Sequence, residues 1–331
     1  MATQITKQLE NKLANKITKE IVHYIHYNNE YMGAFLEYFE KNKENNRCSI
    51  VYEQPFNEAG AMTFGLALEI SQLQELEVVN NSIYPSCSKS ISLALQNNTS
   101  LLSLRIMTTG WKCLTDDDVQ EITHALMHNI TLKKITLDCH EKFYNGAAQS
   151  FANLLMTNTT LTHIDLSSNN IDSIGAEALA NVLYTNTTLL VLNLCFNRIS
   201  DEGAKALSLA LNNNASLLEL NLNNNNIGYN GIHAFSVNIG NNTTLTKFSI
   251  HGNYFGADYY SLNSIIDYFI QRNMELYKIT PFWSPWIHSS FPCHNIVVAS
   301  LVCNTEFGLY IPERIWKYIF SFFERQSLLS F

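Results

Sequence analysis

Residues able to do chemistry are sparse in this chain, and each invites a specific test. Cys293 stands beside His294, a thiol next to an imidazole. Adjacency in sequence does not place a base at the sulfur, however, and no third group that would orient the histidine can be named. Asp116, Asp117 and Asp118 form an acidic run of the sort that binds cations. They also open an apolar i, i+4 pattern, and acids in a helix's first turn are favoured by its dipole without any ligand. His163, Asp165 and His251 could ligate a metal only if they converged. The seven cysteines are scattered with no C-x-x-C pair, which removes the argument for a zinc or dithiol redox motif and fits a reducing compartment. No catalytic residue, metal site or cofactor is therefore expected.

Charge narrows the partner. Lys and Arg number 21 against 29 Asp and Glu, and no basic cluster forms a stripe that could neutralise successive phosphates, so nucleic acid is not expected. The first residues carry no apolar stretch of signal-peptide type, and the longest such run, Ile296 to Val302, is too short to span a bilayer. A cytosolic location is the expectation.

Whatever side chains function here must be positioned by a repeat. The pattern L-x-x-L-x-L-x-x-N-x-I occurs at Leu161, Ile164, Leu166, Asn169 and Ile171, then at Leu189, Leu192, Leu194, Asn197 and Ile199. It returns at Leu217, Leu220, Leu222, Asn225 and Ile227, which sets a period of 28. The leading residue recurs at Leu73, Leu101, Leu132, Leu161, Leu189, Leu217, Leu245 and, with a weaker pattern, Leu276. Before each leader after the first stand apolar pairs spaced i, i+4, from Ile91 with Leu95 to Ile266 with Ile270; both members share one helix face that must be buried. Each repeat thus reads as a short strand followed by a helix. Parallel strands stack ~4.8 Å apart while helices need ~10 Å, so such an α/β array curves, with parallel strands on the concave face and helices on the convex face. At that spacing His163 and His251, three repeats apart, stand ~14 Å apart and cannot share an ion.

Two asparagine columns accompany the leucines. Asn98, Asn129, Asn158, Asn186, Asn214 and Asn242 each precede a leader and are followed two places later by Ser or Thr. Read singly these are glycosylation sequons; their fixed phase assigns them instead to ending the helix and turning the chain back into the strand. The second column, Asn81, Asn169, Asn197, Asn225 and Asn253, follows the strand and can satisfy backbone groups of a buried turn. Thr109 and His140 replace it in the repeats of irregular length. There Gly110, Trp111 and Cys113 are expected in a loop before a helix capped by Thr115 and Asp118.

Three regions follow. Residues 1–44 are expected to form a helical N-terminal cap, from Ile5, Leu9, Leu13, Ile17, Ile21 and Ile25 at i, i+4 spacing and a second stretch around Phe35 and Phe39. Residues 45–283 hold the repeats, opening with a degenerate one around Ile50 and a helix over 58–70. Residues 284–331 contain a helix from Pro312 that reads either as a C-terminal cap or as a recruitment segment.

The core N-x-I-x-x-x-G-A-x-A-L, at Asn169, Ile171, Gly175, Ala176, Ala178 and Leu179 and again at Asn197, Ile199, Gly203, Ala204, Ala206 and Leu207, resembles the ribonuclease-inhibitor class of leucine-rich repeats. The resemblance covers roughly residues 45–283 and implies a curved solenoid with helical caps that works as a binding module. It carries over no partner-contacting residue. The Asn- and Ile-rich composition, the short array and the ending Ser327, Leu328, Leu329, Ser330, Phe331 are similar to Legionella-type secreted effectors, which implies delivery by a bacterium into a host cytosol. Ile311, Pro312, Glu313, Ile315, Trp316, Ile319, Phe320, Ser321 and Phe322 resemble the opening helix of an F-box. That likeness implies ligase recruitment by Pro312, Ile315, Trp316, Ile319 and Phe320.

Strand residues alternating with the core leucines face the concavity. Arg105, His163, Asp165, Asn193, Glu219, Asn221 and His251 are accordingly the candidate partner-binding residues, with Trp111, Phe196 and Trp283 as aromatic anchors at the rim. Their mixed signs suit a protein surface better than a polyanion. The expected function is non-catalytic protein binding by a monomer, and the alternative is a substrate receptor for a host ubiquitin ligase.

Overall fold

The computed structural model describes residues 21–24, 47–52, 65, 68–69, 71–82, 85–112, 114–139, 143–256 and 259–279. The chain divides into two compact units, Met1–Glu275 and Leu276–Phe331. Within the first lie strands β1 (Ile21–Tyr24), β2 (Arg47–Tyr52), β3 (Glu75–Ser82), β4 (Ser103–Lys112), β5 (Lys134–Asp138), β6 (His163–Asp165), β7 (Val191–Asn193), β8 (Glu219–Asn221) and β9 (Lys247–Ser249). Each pairs in parallel with the next, so the sheet order is the chain order. Helices α1 (Pro85–Asn97), α2 (Asp116–Leu126), α3 (Asn145–Leu155), α4 (Ser173–Leu183), α5 (Asp201–Asn213) and α6 (Tyr229–Asn238) follow successive strands from β3 to β8. Helix α7 (Tyr259–Ile279) follows β9.

One core runs between the two layers. The register stacks Leu104, Ile135, Ile164, Leu192, Leu220 and Phe248 in a single row. The leaders Leu101, Leu132, Leu161, Leu189, Leu217 and Leu245 are buried, as are the helix residues Phe151, Leu179, Leu207 and Phe235. Each such side chain stabilises by about 1.5–3 kcal/mol through loss of apolar area from water. Helices approach closely because small residues line their facing sides: a Cβ on Gly203 would meet Ile199 Cγ2 at 2.8 Å and Ala176 Cβ at 2.9 Å.

Both asparagine columns hydrogen-bond the backbone across repeats. In the helix-end column, Asn98, Asn129, Asn158, Asn186, Asn214 and Asn242 donate through Nδ2 to a leucine carbonyl of the preceding repeat at 2.7–3.0 Å. Their Oδ1 atoms accept from the next leader's N–H at 2.7–2.8 Å. All six are buried, which closes these sequons to a glycan. In the post-strand column, Asn197, Asn225 and Asn253 each donate back to the preceding repeat at 2.9 Å. The same three accept from Ile171, Ile199 and Ile227 N–H at 3.0 Å.

Three expectations need correction. Residues 21–24 are strand rather than part of a helical cap; the run Ile21, Val22, His23, Tyr24 is β-branched and aromatic, and it has β2 as a partner. The rest of that cap lies outside the described residues, as does the whole segment 284–331. Gly110 and Trp111 belong to β4, which β3 accompanies through an irregular register to Ser82 and Lys112, and do not form a loop. Finally, Leu276 does not lead a repeat, because α7 continues through it and Lys278 is helical. The helix-end column reaches Asn273, but Glu275 stands where Ser or Thr turns the chain back elsewhere. By contrast Ile50 lies in β2, and residues 65, 68 and 69 are helical, in line with a degenerate first repeat.

Candidate functional site

The candidate surface is the solvent side of the sheet. In register across it run Lys134, His163, Val191, Glu219 and Lys247, and beside them Arg105, Thr136, Asp165, Asn193, Asn221 and Ser249. In β5 to β8 these positions are half-buried or exposed while the residues between them are buried, so alternation assigns every functional side chain to one face. All of these except Arg105 line a shallow hollow.

Many of these polar groups are already spoken for. Lys247 Nζ meets Glu219 Oε2 at 3.0 Å, and Arg105 Nε lies 3.6 Å from Glu77 Oε1. Both pairs are largely solvated and so contribute little to stability. Asp165 accepts from Ser167 N–H at 3.0 Å, Asn193 from Cys195 N–H at 3.2 Å and Asn221 from Asn223 N–H at 3.1 Å. Each fixes the exit of its strand in the manner of an Asx turn. Burial, helped by the Lys134 ammonium and opposed by the Glu219 carboxylate, holds the His163 imidazole below its ordinary value. Burial and the Asp165 carboxylate push the Cys195 thiol up, so it is not poised as a thiolate nucleophile.

Arg105, His163, Asp165, Asn193, Glu219 and Asn221 are thus brought together on one face. His251 lies just beyond β9, exposed, its Nδ1 2.8 Å from the Tyr259 hydroxyl. Phe196 occupies the turn after β7, 58 % exposed with φ +54°. Trp111 lies in strand β4 rather than in a rim loop, and Trp283 and the five recruitment-helix residues lie outside the described residues. Tyr254 and Tyr260 are strongly exposed, and the Tyr260 ring meets that of Tyr259 edge-on.

The acidic run at 116–118 is absorbed by the architecture. Asp118 Oδ2 accepts from Thr115 N–H at 2.7 Å and completes a capping box. Asp116 accepts from Tyr144 and Gly146 N–H at 3.0 and 3.1 Å, capping the next repeat's helix. Asn145 does the same for Asp172 and Gly175, and Asp201 for Gly228 and Gly231. Among the described residues no group of three His, Cys, Asp or Glu could hold a metal ion.

A strand–turn–helix unit of 28 residues, stacked through one continuous parallel sheet with helices on its other side, defines an α/β leucine-rich-repeat solenoid. Three stretches, residues 157–180, 185–208 and 213–236, match the family described as Leucine Rich repeat. Over 106 residues, 31% of this chain, it is 34% identical to the ribonuclease inhibitor of Sus scrofa, and the match spans only 22% of that protein's length. Among solved structures, leiomodin-1 actin-binding site 2 is 24% identical with a TM-score of 0.44, covering 50% of this chain and 92% of that one. A Bacteroides fragilis protein is 12% identical with a TM-score of 0.44, covering 77% and 82% respectively. No helix among the described residues is long and apolar enough to cross a membrane.

Proposed function

We propose that this chain is a non-catalytic protein-binding module whose partner docks on the solvent side of the sheet. The observation that carries this reading is the pair of in-register rows, which present a rigid field of mixed charge and short amides over five consecutive strands. Such a field suits direct hydrogen bonds and complementary charges on a protein surface. The test is affinity capture from eukaryotic cytosol with the intact chain, compared with Asn193→Arg and Asn221→Arg. Both substitutions should weaken capture, and each should lower the temperature of thermal unfolding by no more than a few degrees, because each removes the acceptor for its strand-exit N–H. Capture that survives them and disappears on charge reversal of Glu177 and Lys205, which are exposed on α4 and α5, would place the interface on the helical face instead.

The similar Sus scrofa protein is a ribonuclease inhibitor, so a ribonuclease belongs in the same capture as a defined probe. Two narrower readings rest on residues outside those described. An effector acting on a host protein rests on residues 327–331 with the composition, and a ubiquitin-ligase substrate receptor rests on residues 311–322. The first predicts a host protein among those retained, and the second a cullin-ligase adaptor.

A further inference from the structure

Four residues at 28-residue spacing, Ser168, Phe196, Asn224 and Gly252, take positive φ of 59°, 54°, 52° and 73° in the turn that leaves each strand. Glycine adopts this left-handed region freely and asparagine tolerates it, whereas a bulky side chain there is rare and strained. Phe196 is therefore the exception in its column. The turn does not need a ring: Ser168, Asn224 and Gly252 build the same conformation without one. The aromatic surface is not recovered by the core either, since Phe196 is 58 % exposed. Strain kept by an exposed aromatic points to a use outside the fold.

The backbone at this position is held on both sides. Phe196 N–H donates to Asn223 O at 2.9 Å, and Phe196 O accepts from Asn169 N–H at 3.1 Å. Phe196 directly follows Cys195, which continues the polar face past β7, so the ring stands at the edge of the proposed interface among small polar neighbours. We propose that Phe196 is a preorganised knob that fills an apolar socket on a folded protein partner. Ser168 and Asn224 on either side give the ring no apolar neighbours with which to share a flat contact, so it is most fully taken out of water by a concave apolar socket of the kind a folded domain builds. A fixed backbone also lowers the ordering cost of docking. This inference rests on the strand-face reading above, and its test separates the two.

Phe196→Asn, which installs the residue found one repeat later, is compared with Asn193→Arg in the intact chain. The partner retained from cytosol is purified and titrated against each variant, both folded and as tryptic peptides. Phe196→Asn should raise the melting temperature by roughly 2–4 °C through relief of strain. It should also weaken affinity at least tenfold, as loss of an interface anchor does, and the peptides should not bind. A fall in melting temperature would make the ring a structural element and overturn the proposal. Unchanged affinity with Phe196→Asn, while Asn193→Arg abolishes binding, would remove the knob and leave the strand face standing. Unchanged affinity in both would remove both readings. Binding of the peptides, or no protein retained beyond what Phe196→Asn retains, would also overturn the knob.

Discussion

His163 sits where its neighbours contest its protonation. Because the folded state favours neutral imidazole more than the unfolded chain does, the unfolded state binds more protons as pH falls below the ordinary value of 6.5. This group therefore removes stability as pH drops from above 6.5 through the lowered folded midpoint, and contributes no pH dependence above that window. In a titration followed by NMR, Lys134→Ala should move the His163 midpoint up and Glu219→Gln should move it further down; the reverse order would contradict the pairing across β5, β6 and β8. Asn197 is a sharper case. Its side chain donates to three carbonyls and accepts from Ile171 N–H, all in a buried turn. Asn197→Ala should cost on the order of 3 kcal/mol in urea unfolding, since it strands backbone groups away from water. Both asparagine columns were legible because a fixed phase overrides a motif's usual meaning. The left-handed φ of Phe196 was not, because residue type argues against that conformation at the very position where it occurs.

Elements succeed or fail by what lies between them. Leu192 is fully buried in the row shared by β6, β7 and β8, so Leu192→Asp should cost several kcal/mol and unfold neighbouring repeats. A soluble variant with an unchanged melt would refute the stacking. Gly203→Ala should cost about 1–3 kcal/mol, because the new methyl meets Ile199 and Ala176 with little room to move. Strand and helix positions from β5 to α6 followed directly from apolar spacing. The N-terminal region did not, because Ile17, Ile21 and Ile25 fit a helical period while Ile21 to Tyr24 also fit a strand, and pairing with β2 decides between them. Long-range pairing also explains β4: nothing local to Gly110 and Trp111 marks a strand, but β3 beside them continues to Ser82.

At the scale of the molecule, the repeat is an exchangeable part. Deleting residues 189–216 joins Thr188 to Leu217, so Asn186 Oδ1 can accept from Leu217 N–H as it now does from Leu189 N–H at 2.8 Å. The shortened chain should keep its circular dichroism and a cooperative melt lowered by a few degrees, whereas deleting residues 189–202 leaves half a unit and should unfold the array. Equal melts for the two deletions would show that 28 residues are not the unit. The helix-end asparagines give the array a further property, which is a direction. Each sends its Nδ2 proton to a carbonyl of the repeat before it and none to the repeat after it. During synthesis, at roughly 5–20 residues per second, a repeat leaving the ribosome finds the acceptor for its closing turn already in place. That bond waits for nothing downstream, whereas the post-strand turn of a repeat is completed by the asparagine of the next, as Ile171 N–H is by Asn197 Oδ1, so a repeat closes its helix end as it emerges and its strand exit one repeat later.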